Sequence, residues 1–402
     1  MLSEEIMKEL SIPNEKKIVL LVMDGVGGLP HKNGLTELEA AKTPNLDKLA
    51  EESALGLTHP IGVGITPGSG PSHLAIFGYD PVRYNIGRGV LEALGLDIHL
   101  TNKDLAARAN FATKDGNGLI TDRRAGRIPT EKNQELCARL QEEIKKIDDV
   151  EIIIKHGKEH RFVVLFRGEG LHDGLTDADP QKEGSKVKYT EPLVPEAKKS
   201  AVIINKFIDR VGEILKNETK ANTALLRGIA RVPHIPTMND LFKLKPGAIA
   251  TYPMYRGLAR LVSMDILKTG ETIADEIATL KENYSKYDFF YVHVKKTDSY
   301  GEDGNFENKV KIIEETDKII PDILALNPDV LAVTSDHSTP SLLAGHSWHP
   351  NPFLLHGRFI RKSPVTRFTE AECLKGSLGI FYSIDAMPLM LASALKLAKY
   401  GA

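Results

Sequence analysis

Cysteine is nearly absent from this chain. Only Cys137 and Cys373 occur among 402 residues, far apart and without Cys-x-x-Cys spacing, which excludes a disulfide framework and a cysteine-based zinc site. An excess of either charge is also missing. Lys plus Arg number 52 against 54 Asp plus Glu, a formal net charge of −2, so there is no overall basic footprint for nucleic acid. No apolar run reaches the ~20 residues that span a bilayer. The opening residues Met1-Leu2-Ser3-Glu4-Glu5 have neither the basic segment nor the apolar core of a signal peptide. These absences lead to the expectation of a cytoplasmic, enzyme-sized protein with neither nucleic acid nor membrane as its partner.

The composition that remains, 42% hydrophobic and 26% charged, is that of an ordinary globular protein. Its length suggests roughly two or three domains, or one domain carrying a large insertion. Lys17 to Met23, Tyr287 to Val294 and Val330 to His337 are apolar, β-branched or aromatic runs that read as buried parallel strands. A helix at about 306–326 separates the last two, giving the strand–helix–strand pattern of a parallel sheet. Pro44 opens another helix, about 45–53, and residues 56–72 read as a shaped Gly/Pro/Ser-rich loop. A final helix is expected around 387–399. The middle third differs: short strand-like runs at 105–113, 150–155 and 162–166 alternate with helices at about 131–146 and 196–216. The expected organisation is α/β, with residues 1–95 and 275–402 forming a discontinuous domain around a mostly parallel sheet. Residues 96–274 form an inserted α+β lobe.

Polar groups collect where those strands end. Asp24 follows the first strand, Asp298 follows the strand at 287–294, and Asp336-His337 close the strand from 330. Ser69 lies in the glycine-rich loop, and His346 lies in Gly345-His346-Ser347-Trp348-His349. Open α/β sheets bind ligands beyond the carboxyl ends of their strands. There, carboxylates and imidazoles would suit divalent ions, and a serine hydroxyl beside them would become a usable nucleophile. Each residue has a bland reading as well. Asp24-Gly25 is a common turn pair, Ser69 suits any tight loop, Asp298 can cap a helix, and His346 and His349 can pack around Trp348.

Five segments sharpen the choice: Val22-Met23-Asp24-Gly25, Pro67-Gly68-Ser69-Gly70-Pro71-Ser72-His73, Lys296-Thr297-Asp298, Ser335-Asp336-His337-Ser338-Thr339-Pro340 and Gly345-His346-Ser347. In this order they make the chain resemble the archaeal type of 2,3-bisphosphoglycerate-independent phosphoglycerate mutase, of the alkaline-phosphatase superfamily. The likeness covers nearly the whole chain. It implies an alkaline-phosphatase-like domain and interconversion of 3-phosphoglycerate and 2-phosphoglycerate through a phosphoserine at Ser69. It also implies two divalent ions, Mn²⁺ foremost, with Mg²⁺, Co²⁺ or Zn²⁺ as alternatives. Asp24, Ser69, Asp336 and His337 would hold one ion, and Asp298 and His346 would belong to the other.

The chain departs from the family at Glu302, where many relatives carry histidine. Glu302 is expected as a ligand of the second ion, with Asp303 or His349 as substitutes. Substrate anions call for arginine. The resemblance puts Arg123, Arg127, Arg256 and Arg260 first, because relatives carry similar Arg-Arg-Ala-Gly-Arg and Tyr-Arg-Gly-Leu-Ala-Arg segments, ahead of Arg88, Arg124 and Arg161. Asp122 is expected to accept a hydroxyl proton or else to cap a turn. Two rival readings are a related phosphotransferase or phosphatase, for example one phosphorylating homoserine, and a non-catalytic metal- or anion-binding protein.

Overall fold

The computed structural model describes residues 4–401. Its larger sheet is built from β1 (Ile18–Met23), β2 (Ala54–His59), β3 (Pro246–Ala250), β4 (Asp265–Ile266), β5 (Phe289–Val294), β6 (Val330–Thr334), β7 (Asn351–Gly357) and β8 (Gly379–Tyr382). Their order is β4-β3-β5-β1-β6-β7-β2-β8. Only β7 runs against its neighbours; β1 pairs in parallel with both β5 and β6. Every residue of β1, β5 and β6 is buried, because helices cover both faces of a parallel sheet and leave no polar side. Burying each large aliphatic side chain contributes about 1.5–3 kcal/mol.

Four helices of this unit carry the polar side chains of greatest chemical interest: α1 (Ser69–Ile76), α2 (Pro253–Leu261), α3 (Lys296–Glu302) and α4 (Phe306–Asp317). The expected loop at 56–72 is shorter than its composition suggests, since β2 takes its start and α1 begins at Ser69. The long helix expected to 326 stops at Asp317, and a separate helix, Ile320–Leu324, restarts with Pro321, whose missing N–H suits a first turn and not a helix interior. The last helix runs Ala386–Ser393 and ends where Leu395 turns to φ +53°. Among the described residues no helix is long and apolar enough to cross a membrane.

The chain divides into two units, Met1–Asn85 with Ile235–Ala402, and Ile86–His234. The insertion is therefore shorter than 96–274. Residues 235–274 belong with the first unit because β3 pairs directly with β5, and β4 with β3, while 86–95 belong with the second. The second unit has an antiparallel sheet in the order 120–122, 104–114, 161–167, 150–156, 146–147, with 223–231 also paired to 104–114. Helices Thr130–Glu143 and Lys198–Ile214 supply its core with Leu136, Leu140, Phe207 and Val211 against Phe111, Phe162 and Phe166.

A buried ionic cluster ties the loops at the carboxyl end of the larger sheet. Lys309 of α4 is wholly buried, and its ammonium donates to the carbonyls of Thr339 at 2.8 Å and Gly27 at 3.2 Å, joining the loop after β1 to the loop after β6. Glu37 lies 4.0 Å from that ammonium and accepts from the Ser341 amide at 2.7 Å. Glu370 accepts from the Gly28 amide and the Thr36 hydroxyl. Burial pushes the Glu370 carboxyl from 4.5 up to about 7, so the folded state holds its proton over a range where the unfolded chain has released it.

Two outcomes are expected. Lys309→Met leaves Glu37 buried without its cation and lowers stability by about 3–5 kcal/mol, measurable by urea denaturation. Because folding raises the Glu370 value, its contribution is most favourable below pH 4.5 and is lost as pH climbs through about 7. Glu370→Gln should flatten that part of the pH dependence of Tm and gain relative to the parent above pH 7.

Candidate active site

The parallel register of β5, β1 and β6 aligns their carboxyl ends, and each chain continues into a carboxylate. Asp24 comes directly after β1, Asp336 two residues after β6, and Asp298 lies in the first turn of α3, after β5. All three are buried. Gly25 makes the first of these turns possible. It sits at φ +62°, a side chain there would stand 2.4 Å from Thr339 Oγ1, and its amide donates to Asp336 Oδ1 at 3.3 Å. Asp24-Gly25 is thus both the turn pair and part of the cluster.

His337 stands at the centre. Its Nε2 is 3.0 Å from Asp336 Oδ2, 3.4 Å from Asp24 Oδ1 and 3.3 Å from Ser69 Oγ. Its Nδ1 lies 2.9 Å from Thr339 Oγ1, and that hydroxyl gives its hydrogen to Asp298 Oδ1 at 2.6 Å. Thr339 must therefore accept from Nδ1–H, which directs Nε2 toward Ser69 and the carboxylates. His346 stacks on His337 with ring centroids 3.6 Å apart. Its Nδ1 lies 2.9 Å from the Pro67 carbonyl, and its Nε2 lies 3.7 Å from Asp298 Oδ1. Ser69 is the first residue of α1, so its hydroxyl lies at the positive end of the helix dipole.

The electrostatics stem from three buried carboxylates in one place. Burial pulls the His337 imidazole down, but Asp336, Asp24 and Asp298 outweigh it and raise it to about 9. Burial pushes Asp336 up, yet His337 and His73 hold it well below the usual carboxylate range. Asp298 is likewise lowered, with Lys295 and His337 overcoming its burial.

Two groups of side chains could each hold a metal ion, Asp24–Asp336–His337 and Asp298–His337–His346, with each group's ligand atoms within 4.8 Å of one another. Among the described residues, both Asp24 oxygens and Asp336 Oδ2 find no hydrogen-bond partner of good geometry although they are buried. These oxygens meet positive charge only as ion pairs, with His337, His73, His293 and Lys295 at 3.0–3.4 Å, and buried carboxylates short of hydrogen bonds suit a bound cation. Glu302 stands at the rim of the second group, its Oε1 3.8 Å from His346 Nε2 and its side chain 54% exposed. His349 is elsewhere, stacked on Trp348 and bonded to Ser347 Oγ at 3.1 Å.

Three members of the cluster escape a reading of the sequence. His73 Nδ1 lies 2.9 Å from the Ser69 carbonyl and 3.3 Å from Asp336 Oδ2. The signal was present, since His73 stands four positions after Ser69 and one helix face carries both. His293 Nε2 is 3.3 Å from Asp24 Oδ2, hidden inside an apolar strand. Lys295 bridges Asp24 at 3.2 Å and Asp298; these carboxylates overcome the effect of burial and raise it.

The expected substrate residues are divided between the units. Arg256 and Arg260 lie on α2 of the first unit, and the Arg256 guanidinium donates to the Thr251 carbonyl. Asp122, Arg123 and Arg127 lie in the second. There Asp122 caps its own turn, accepting from the amides of Arg124 and Gly126 at 2.7 and 2.6 Å, and Arg123 forms a forked pair with Asp179 at 2.8 and 3.2 Å. His160 is buried, which draws it down to about 4.

Comparison with known proteins agrees with this geometry. A family model described as 2,3-bisphosphoglycerate-independent phosphoglycerate mutase matches residues 50–220. A Thermosipho melanesiensis protein named "Probable 2,3-bisphosphoglycerate-independent phosphoglycerate mutase" is 58% identical, with 99% of each chain covered. An Aquifex aeolicus protein of the same name is 55% identical over 99% of this chain and 100% of its own. Among solved structures, the cofactor-independent phosphoglycerate mutase of Thermoplasma acidophilum superposes with a TM-score of 0.80 at 30% identity, over 94% of this chain and 100% of that one. Full-length identity of this order, together with a shared fold, shows that the chain belongs to the 2,3-bisphosphoglycerate-independent phosphoglycerate mutase family.

Proposed function

We propose that this protein interconverts 3-phosphoglycerate and 2-phosphoglycerate by metal-dependent transfer of the phosphoryl group to and from Ser69. The observation that carries the reading is Ser69 Oγ at 3.3 Å from His337 Nε2, inside a knot of carboxylates and imidazoles that can serve two cation sites. Asp24, Ser69, Asp336 and His337 would hold one divalent ion, and Asp298, His346 and Glu302 the other, with His337 bordering both. When bound, the ions would neutralise charge on the transferring group and favour the ionised serine hydroxyl. Oxygen from Asp298 and Glu302 favours Mn²⁺ or Mg²⁺ there over Zn²⁺.

In the first half-reaction the Ser69 oxygen forms a bond to phosphorus while the bond from phosphorus to the glycerate oxygen breaks. The serine proton ends on the departing glycerate oxygen, so atoms and charge balance. The phosphoserine then lies at the amino end of α1, where unpaired backbone amides suit an anion. After the glycerate reorients, its other hydroxyl attacks, and the same steps run in reverse. Arg123, Arg127, Arg256 and Arg260 are proposed to bind the substrate, because its phosphate and carboxylate need guanidinium forks, and Asp122 is proposed to accept a hydroxyl proton of the reorienting glycerate.

An enolase-coupled assay with Mn²⁺ tests the reading. Turnover of 3-phosphoglycerate is expected without added bisphosphoglycerate; release of inorganic phosphate or phosphorylation of homoserine in its place would favour another activity on this scaffold. Ser69→Ala removes the covalent route, and more than about 99% of activity should vanish; near-full retention would sink the mechanism. Glu302→Ala should cost the second ion, read by elemental analysis of the dialysed protein. Unchanged metal content would exclude Glu302 as a ligand.

A further inference from the structure

The second unit holds an arrangement that protein chains ordinarily avoid. On the strand 104–114, Arg108 is directly opposite Arg227 of the strand 223–231. Like charges placed opposite each other in an antiparallel pair destabilise it, and here the pairing is built in. Between Ala106 and Arg108 the register shifts, so that one strand advances by an extra residue, and Gly228 at φ +59° takes up the bulge. Bulges of this kind re-aim side chains, and this one brings the two guanidinium groups onto one face.

More cations stand around them. Asn110 shares the face of Arg108 by strand alternation, and Arg161 pairs opposite Asn110 on the strand 161–167. Arg88 opens the helix Arg88–Gly95, and its Cβ would lie 2.7 Å from a side chain on Gly228. Burial draws the Arg108 guanidinium below its ordinary value; Glu92 opposes this, while Arg227, Arg161 and Arg88 add to it. Among the described residues, no carboxylate lies within ion-pair distance of Arg108 or Arg227, and the Nε atoms of both are buried without a hydrogen-bond partner. The Asn110 side-chain oxygen, on a residue only 6% exposed, is likewise unpartnered. The opposite face of the same strand, with Ala107, Ala109 and Phe111, is closed off by the hydrophobic core. Fold stability therefore gives no reason for the arginines.

We infer that Arg108 and Arg227, flanked by Arg88, Arg161 and Asn110, form an oxyanion subsite that takes the carboxylate of the phosphoglycerate. The identity of the anion rests on the mutase reading; the existence of the site does not. The carboxylate is the one charge that stays on the glycerate through both half-reactions, including the interval when the phosphate is on the enzyme. Two adjacent guanidinium forks match its planar pair of oxygens, and the Asn110 amide can donate a further hydrogen bond.

The test is calorimetric titration of the full chain, loaded with Mn²⁺, with 3-phosphoglycerate, D-glycerate and inorganic phosphate. Arg108→Gln and Arg227→Gln are each expected to weaken 3-phosphoglycerate and D-glycerate about 10- to 100-fold while leaving inorganic phosphate unchanged. Arg108→Lys, which keeps the charge but loses the fork, should recover part of the loss. In anion-poor buffer both glutamine variants should raise Tm by about 1–3 °C, because a like-charge pair has been relieved. A lowered Tm with unchanged phosphoglycerate affinity would make the arginines structural and overturn the site. Equal weakening of all three ligands would overturn the carboxylate assignment. Wild-type protein that binds phosphoglycerate in an arginine-dependent way but fails the enolase-coupled assay would reject the mutase reading and leave the subsite standing.

Discussion

Three carboxylates cannot share a buried crevice unless positive charge is brought to them. Asp24, Asp298 and Asp336 are all at the ends of adjacent strands and out of solvent, and their mutual repulsion sets what surrounds them. His337 is raised because it answers this field, Lys295 bridges two of the three, and His73 and His293 close the flanks. Thr339 fixes the orientation of His337 through one hydroxyl, and Lys309 fixes Thr339 from behind. The parallel order β5-β1-β6 is what makes the three strand ends coincide at all.

Much of this was legible in the chain. The apolar runs ending at Met23, Val294 and Thr334 announced parallel strands because a sheet buried on both faces has no polar alternation. Once those strands are parallel neighbours, Asp24, Asp298 and Asp336-His337 converge by necessity. Ser69 was harder to read, since Gly68 and Gly70 advertise a loop while the structure starts a helix there. The strands 246–250 and 351–357 were both missed. The first, Pro246-Gly247-Ala248-Ile249-Ala250, contains residues poor in strand propensity and is held by its pairing with β5. The second carries Pro352, a poor strand former, at its start and runs antiparallel to both neighbours. Placing 246–250 in the wrong lobe shifted the insertion boundary as well.

Side chains that answer a charge were the least visible class. A lysine such as Lys309 in an amphipathic helix reads as a solvated face, and nothing local distinguishes it from Lys311, which is exposed. His293 reads as an incidental member of a strand. Arg108 and Arg227 are separated by more than a hundred positions in the chain, and their meeting depends on a bulge that sequence pattern alone does not specify. In each case tertiary pairing supplies the meaning that local sequence lacks.

The discontinuity of the first unit also bears on how the chain is made. β1 lies between β5 and β6, so a strand translated near the start finds both neighbours only after residues up to Thr334 have left the ribosome. The second unit, Ile86–His234, is continuous in sequence and complete well before then, and domains fold as units as they emerge. Its early closure shortens the effective loop that β1 must span to reach β5. Until that moment the six apolar residues of β1 are an unpaired edge. The nascent chain therefore carries this unpaired apolar strand through the whole synthesis of its own insertion.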